Sequence, residues 1–398
     1  MKVIKSDKIK VYIPDDERYT KNKKFTAHII VRYDSGHCGG IDPHIIGICK
    51  YQKRNENIMP LLIIVSRNKN VINDYKDLGI AYVDCTNCTN NYETAIQVKA
   101  LLKYLDIVIV HSHGYSTNYF LFMLKKLDPR GFNRIKTVVT CHGWVEFNIN
   151  KKLLTFLDFF TYRMADALIC VSETGIKRLE KYRKKKIVRA VRNGIIINPT
   201  IVGNSIVEDF FLKYNIQRNK NIISFVGRLD EEKRPDRFIL FASMLAKLRN
   251  DLHFLIVGDG ILKEKMKKLS KKIDIDSCVT FTGEIFPPSV VYQISKFIYL
   301  SSDTEGIPMC VLESMSFGTP VLASDVGGLN EVIDSGVDGY LFRKENLQAV
   351  VECANYLLNN PKHLTELGEN SICKIKERFS AERMHIQEDI VILCKRSI

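Results

Sequence analysis

Apolar runs of strand length recur along the whole chain, each followed by a stretch whose apolar residues fall at helical spacing. A first series comprises Ala27–Val31, Leu61–Val65, Ile80–Val83, Ile107–Val110, Thr137–Thr140, Ala167–Val171 and Ile187–Val191. The pattern restarts with Ile222–Val226, Phe254–Val257, Val279–Thr282, Phe297–Leu300 and Pro320–Ala323. Continuous apolar runs are the mark of parallel strands buried on both faces, with the helical stretches as crossovers. Two doubly wound α/β domains in tandem are therefore predicted, residues 1–200 and 201–375, since 398 residues exceed one core of ordinary size. The remaining stretch, 376–398, reads as a helical segment packing back on the first domain.

Doubly wound sheets bind ligands beyond the carboxyl ends of their strands, so the loops after the runs carry the chemistry. In the first series these are Gly36-His37-Cys38-Gly39-Gly40, His111-Ser112-His113-Gly114 and Cys141-His142-Gly143-Trp144. In the second they are Gly227-Arg228-Leu229-Asp230-Glu231-Glu232-Lys233, Gly258-Asp259-Gly260, Gly283-Glu284 and the segment from Ser301 to Glu313. The two sets are expected to face each other across an interdomain cleft.

Charge separates the halves. Residues 1–199 hold 34 Lys and Arg against 18 Asp and Glu, whereas residues 200–398 hold 25 against 27. A basic first half attracts anionic lipid or acidic substrates, and no nucleic-acid-binding signature accompanies it. The stretch Leu153-Leu154-Thr155-Phe156-Leu157-Asp158-Phe159-Phe160 fits either core or a membrane-surface helix. No apolar run reaches the roughly 18 residues of a membrane span, and the polar start lacks the apolar region of a secretory signal. A cytoplasmic protein is expected, with peripheral contact at the inner face of the membrane as its further possibility. The 11 cysteines are scattered, mostly inside apolar segments, so they read as core residues and not as a disulfide framework. No His-Glu-x-x-His or comparable ligand set occurs, and no metal is expected.

Four groups of residues stand out against bland alternatives. Glu305 and Glu313, eight residues apart, flank a Gly/Pro loop and the helix it opens. Ionised carboxylates accept sugar O–H groups and free helix N–H groups accept phosphate oxygens, although carboxylates also cap helices. Arg228 and Lys233 put two cations at a strand tip, suited to clamping a diphosphate or to a solvated loop. Gly39-Gly40 permits close backbone approach to an anion or simply makes a tight turn. His142 fits either a substrate contact or a structural role.

Together these residues resemble the retaining family 4 glycosyltransferases of the GT-B fold, the "glycosyl transferases group 1" type. The likeness runs from about Gly39 to Phe342. It is most specific in Phe225-Val226-Gly227-Arg228-Leu229 with Lys233, Ile256-Val257-Gly258-Asp259-Gly260, Phe281-Thr282-Gly283, the Glu305/Glu313 pair, Gly318-Thr319-Pro320-Val321, and Gly327-Gly328-Leu329-Asn330-Glu331. The resemblance implies a metal-independent transfer from a nucleotide-diphosphate sugar with retained anomeric configuration. It implies that Arg228 and Lys233 hold the diphosphate, Glu313 the ribose, and Glu305 with the backbone of Gly306 and Ile307 the donor sugar. Met309 and Cys310 amides would add phosphate contacts, Gly260, Glu284 and Ile285 would lie by the base, and Gly40 would reach the diphosphate from the other domain. His142 and Glu305 are the catalytic candidates, with His142 supporting the transition state or positioning the sugar.

The donor is thus expected to be a nucleotide sugar, with no separate cofactor. The acceptor is expected to be a saccharide or lipid-linked saccharide of polysaccharide, lipopolysaccharide or glycolipid synthesis. Two other readings use the same fold: a nucleotide-sugar epimerase and a non-catalytic sugar-nucleotide-binding subunit. Ile196 stands after Asn193-Gly194-Ile195 where the family usually has Asp, and residues 1–24 have no counterpart in it.

Overall fold

A computed structural model describes residues 2–5, 8–16, 19, 23–32, 41–54, 58–142, 158–196, 201–285 and 287–393. The Gly39-Gly40 pair and the apolar stretch up to Leu157 lie outside the described residues. The chain divides into two units, residues 1–192 with 384–398, and residues 193–383. The boundary falls before the expected 200/201 because residues 193–195 are tied to the second unit. Asn193 Nδ2 donates to the Ile307 carbonyl at 2.7 Å, and Ile195 exchanges backbone bonds with Phe379 (2.9 Å) and Ala381 (2.7 Å).

The first unit is built on nine strands: β1 (Lys2–Lys5), β2 (Lys10–Ile13), β3 (Lys24–Arg32), β4 (Ile58–Ser66), β5 (Ala81–Asp84), β6 (Ile107–His113), β7 (Lys136–Cys141), β8 (Ala167–Cys170) and β9 (Ile187–Ala190). Their order is β1-β2-β5-β4-β3-β6-β7-β8-β9. From β5 to β9 neighbouring strands run parallel, while the β1–β2 and β2–β5 pairs are antiparallel. Residues 2–5 and 10–13, which the apolar pattern leaves unassigned, thus supply an antiparallel strand pair at the margin of the sheet. The run Leu61–Ile64 is fully buried, as a strand covered on both faces requires. The C-terminal helix Ala381–Leu393 closes one face by packing Met384, Val391 and Ile392 against Ile109, Val138, Ala167 and Ile169.

The second unit carries β10 (Asn221–Val226), β11 (Leu252–Val257), β12 (Val279–Gly283), β13 (Ser295–Leu300), β14 (Val321–Ser324) and β15 (Gly339–Phe342). All pairs are parallel, in the order β12-β11-β10-β13-β14-β15. The chain winds outward in one direction from β10 to β12 and in the other from β13 to β15. The point between β10 and β13 is therefore a topological switch, where a crevice opens beyond the strand ends. Among the described residues no helix is long and apolar enough to cross a membrane.

One buried carboxylate of the first unit gives a pH signature. Asp158 is 4% exposed and accepts hydrogen bonds from Asn118 Nδ2 at 2.9 Å and Tyr162 Oη at 3.0 Å. Burial outweighs both donors and lifts its pKa to about 6. A carboxyl raised in the folded state binds its proton more tightly there than in the unfolded chain, so its contribution falls as pH rises from about 4 to above 6. Two pKa units correspond to about 2.7 kcal/mol. Thermal midpoints of wild type and Asp158→Asn measured from pH 4 to 8 should diverge through this window, the wild type losing the additional stability. Parallel curves would show that Asp158 does not titrate there.

Candidate active site

The loops after β10 and β13 meet at the switch point of the second unit. The β10 loop turns through Asp230, whose Oδ1 accepts from the backbone N–H groups of Glu232 (3.1 Å) and Lys233 (3.0 Å). This turn aims Lys233 at the neighbouring loop, where Lys233 Nζ lies 2.6 and 2.7 Å from the two Glu305 oxygens. Ser302 Oγ donates to Glu305 Oε1 at 2.6 Å. The side chains are 14% and 4% exposed, so the pair is shielded from screening. Burial opposes the Lys233 ammonium, but the Glu305 charge and hydrogen bonds outweigh it and the Lys233 pKa is raised.

Glycines let these loops approach at backbone distance. An added Cβ on Gly327, at φ +59°, would sit 1.8 Å from the Glu305 carbonyl oxygen, and one on Gly328 2.6 Å from that of Gly306. Gly328 N–H donates to the Glu305 carbonyl at 3.2 Å, so the turn after β14 props the Glu305 loop from behind. On the β11 side, a Cβ added to Gly260, at φ +157°, would come within 2.5 Å of the Leu229 carbonyl oxygen. Leu229 in turn donates to the Asp259 carbonyl at 2.9 Å and accepts from Leu262 at 2.9 Å. Only glycine keeps the three loops this close.

The Glu305 loop runs through Gly306, buried Ile307 and Pro308 into the helix Met309–Ser316. Pro308 caps it without a side-chain hydrogen bond, which leaves the first-turn N–H groups available to an anion. Glu313 lies one turn further, half-buried, and Tyr292 Oη donates to its Oε2 at 2.7 Å. Burial raises its pKa against this bond. The Cys310 thiol is pushed up to about 12 by burial, with the charges of Lys233, Glu305 and Glu313 all acting on it. Those three groups and the helix start therefore share one locality. Glu284, at the end of β12, is exposed and Ile285 is partly buried on the core.

Arg228 is 59% exposed and leans on its own loop, 3.1 Å from Asp230 and 3.3 Å from Glu232. Such pairs are weak and exchangeable, so its guanidinium is free to turn toward an arriving anion. A further group escaped the reading of the sequence. Asp303 is held by Arg237 at 2.7 Å, Arg234 at 3.1 Å and Lys344 at 3.8 Å, which ties the β13 loop to the helix Pro235–Ala246. Burial works against its charge, but the two arginines hold the Asp303 carboxyl below the usual range. Neither Asp303, Ser302 nor Tyr292 belongs to a spacing motif, because each acts through a partner distant in sequence.

His142 belongs to the first unit, immediately after β7, and Gly40 lies outside the described residues. The His142 ring stands edge-on to His44 with centroids 5.0 Å apart, and 5.8 Å from His113. Burial drives its pKa down to about 3, so it is neutral across the physiological range. A neutral imidazole can donate one hydrogen bond and accept one.

Comparison with known proteins agrees with this geometry. The family described as "Glycosyl transferases group 1" matches residues 207–373, and that described as "Glycosyltransferase Family 4" matches residues 67–198. An uncharacterized glycosyltransferase of Haemophilus influenzae is 29% identical over 60% of this chain and 64% of its own length. An Escherichia coli UDP-Gal:alpha-D-GlcNAc-diphosphoundecaprenol alpha-1,3-galactosyltransferase is 25% identical over 80% of this chain and 84% of its own. A Campylobacter jejuni GalNAc-alpha-(1->4)-GalNAc-alpha-(1->3)-diNAcBac-PP-undecaprenol alpha-1,4-N-acetyl-D-galactosaminyltransferase is 26% identical over 61% of this chain and 64% of its own length. The chain thus spans less than two thirds of the length of the Haemophilus and Campylobacter relatives. Among solved structures, Anabaena HepE in complex with UDP and glucose superposes with a TM-score of 0.77 at 16% identity, over 92% of this chain and 98% of that one. A Rickettsia africae glycosyltransferase gives 0.73 at 18% identity over 94% and 100%. With two Rossmann-like units and both family descriptions matched in chain order, over residues 67–198 and 207–373, the protein belongs to the family 4, group 1 glycosyltransferases of the GT-B fold.

Proposed function

We propose that the protein is a retaining glycosyltransferase that moves a sugar from a nucleoside-diphosphate sugar to an acceptor hydroxyl in cell-surface polysaccharide, lipopolysaccharide or glycolipid synthesis. The observation that carries this reading is the Lys233–Glu305 pair set across the switch point beside an uncapped helix start. Arg228, Lys233 and the amides of Met309 and Cys310 take the diphosphate, Glu313 the ribose, and Glu305 with the backbone of Gly306 and Ile307 the sugar. Gly260, Glu284 and Ile285 border the base, and Gly40 adds a diphosphate contact.

The anomeric carbon–oxygen bond to the diphosphate breaks and the acceptor oxygen bonds on the same face. The acceptor's proton passes to the departing phosphate oxygen. Glu305 and His142 support the charge that develops on the sugar. The two cations and the helix N–H groups meet the negative charge of the leaving group, so the diphosphate needs no metal. The names of the E. coli and C. jejuni relatives specify undecaprenol-linked saccharides. They support a saccharide or lipid-linked saccharide acceptor here, with the protein cytoplasmic and the basic first half touching anionic membrane.

A thermal-shift panel of UDP-, GDP-, ADP- and CDP-sugars tests the donor class. A ligand at about 100 times its dissociation constant stabilises the folded state by roughly 2.7 kcal/mol. For a unit of this size that raises its midpoint by about 5 to 10 °C. One base should stand out from the rest, and no shift with any of them would overturn the reading.

A further inference from the structure

Six of the nine histidines gather in the first unit, brought there by elements far apart in sequence. His28 is on β3, His111 and His113 on the adjacent β6, His142 just after β7, His44 on the helix Ile41–Gln52 and His385 on the C-terminal helix. Glu388 of that last helix reaches the group from the other side, 1% exposed. His44 and His113 are 4% and 2% exposed. Such a concentration of buried polar atoms demands partners.

The protons can be placed from the hydrogen bonds. Gln52 Nε2 donates to Asp389 Oδ1 at 3.1 Å, so its Oε1, 2.9 Å from His28 Nε2, accepts the proton of that nitrogen. A neutral His28 then carries a lone pair on Nδ1, which takes the N–H of His113 Nε2 at 3.3 Å. His113 Nδ1 is left with a lone pair. His44 Nε2 lies 3.2 Å from Glu388 Oε1, a close ion-pair distance outside hydrogen-bond geometry, and the carboxylate charge favours the proton on that nitrogen, which leaves Nδ1 with a lone pair. Neither of these Nδ1 atoms nor His142 Nε2 has a hydrogen-bond partner among the described residues, and all three are shut off from solvent.

His44, His113 and His142 each bring a ligating nitrogen within 4.8 Å of those of the other two. Around a tetrahedral ion with bonds of about 2.0 to 2.1 Å, nitrogens sit roughly 3.3 Å apart, a separation inside that bound. Three neutral imidazoles favour zinc, cobalt, nickel or copper over magnesium or calcium. A carboxylate behind the first histidine is the usual second partner of a metal-bound imidazole, since it fixes the tautomer and raises ligand basicity. We propose that His44, His113 and His142 form a binding site for a zinc-class divalent cation with one position open, and that Glu388 holds His44 in its ligating form. Occupancy takes the lone pair of His142, so the cation inhibits transfer. That consequence rests on the proposed role of His142, whereas the binding itself does not.

Titration of the full-length, metal-stripped protein with cobalt(II), read by visible absorption, tests the site. One equivalent should give the intense band of tetrahedral cobalt, and one equivalent of zinc should abolish it. His44→Gln should lose the band, and Glu388→Gln should weaken binding 10- to 100-fold. His253→Gln, in β11 of the second unit, should bind as wild type. If His44→Gln fails to fold, the Glu388→Gln comparison decides. No band in the wild type, full binding by His44→Gln, or undiminished affinity in Glu388→Gln would overturn the site. Zinc that binds at His44 yet leaves sugar turnover unchanged would keep the site and overturn the role given to His142.

Discussion

Lys233→Met is expected to slow sugar transfer by about 10²- to 10³-fold, the loss typical of removing one preorganised group that stabilises developing negative charge. It also leaves Glu305, 4% exposed, without its cation. Breaking a buried pair by removing one partner costs about 3–5 kcal/mol, most of it from the stranded charge. Lys233→Met/Glu305→Gln removes both charges at similar volume, so stability should largely return while transfer stays slow. Denaturant unfolding and turnover of the single and double variants separate the two effects. Recovery of transfer in the double variant would mean that neither charge acts in the transfer itself.

Gly327→Ala is expected to damage transfer although no part of residue 327 bears a functional group. Its φ of +59° is costly for alanine, by roughly 1–2 kcal/mol. The added Cβ at 1.8 Å must also drive the Glu305 carbonyl back by about 1.2 Å to reach the 3.0 Å below which real Cβ contacts essentially never fall. That carbonyl accepts the Gly328 N–H, so the hydrogen bond fails with it. A displacement of this size at the reacting group costs about 10²-fold in turnover. Gly203→Ala, where the new Cβ meets nothing within 4 Å, is the matching control and should behave as wild type. Equal turnover in the two variants would remove the Glu305 loop from the chemistry.

The fold was legible where a strand is apolar on both faces. The twelve runs read from the sequence each fall on a strand, overrunning it by one residue at Ile80, Val171, Val191 and Pro320, because burial in a parallel sheet imprints itself along the strand. Strands β1 and β2, at the margin of the first sheet, and β15, at the edge of the second, escaped for the complementary reason: four residues such as Lys10-Val11-Tyr12-Ile13 need cover on one side only and mix charge with apolar residues. In the site, Lys233 and Glu305 were visible as charges at strand ends, and the structure joins them directly. Their supports were not. Ser302, Tyr292, Asp303 and the Gly327 approach depend on neighbours that only the folded chain supplies. The histidine cluster is the extreme case, since residues 28, 44, 113, 142 and 388 share no spacing and meet only through sheet order and the returning C-terminal helix.

The most direct test of the central claim is release of the nucleoside diphosphate from the sugar nucleotide that stabilises the protein, measured with wild type and Lys233→Met beside lipid-linked and free saccharide acceptors. Release by the wild type, stimulated by an acceptor and slowed at least about 10²-fold in Lys233→Met, is the predicted result. Equal release by both proteins, or none from any sugar nucleotide, would contradict it.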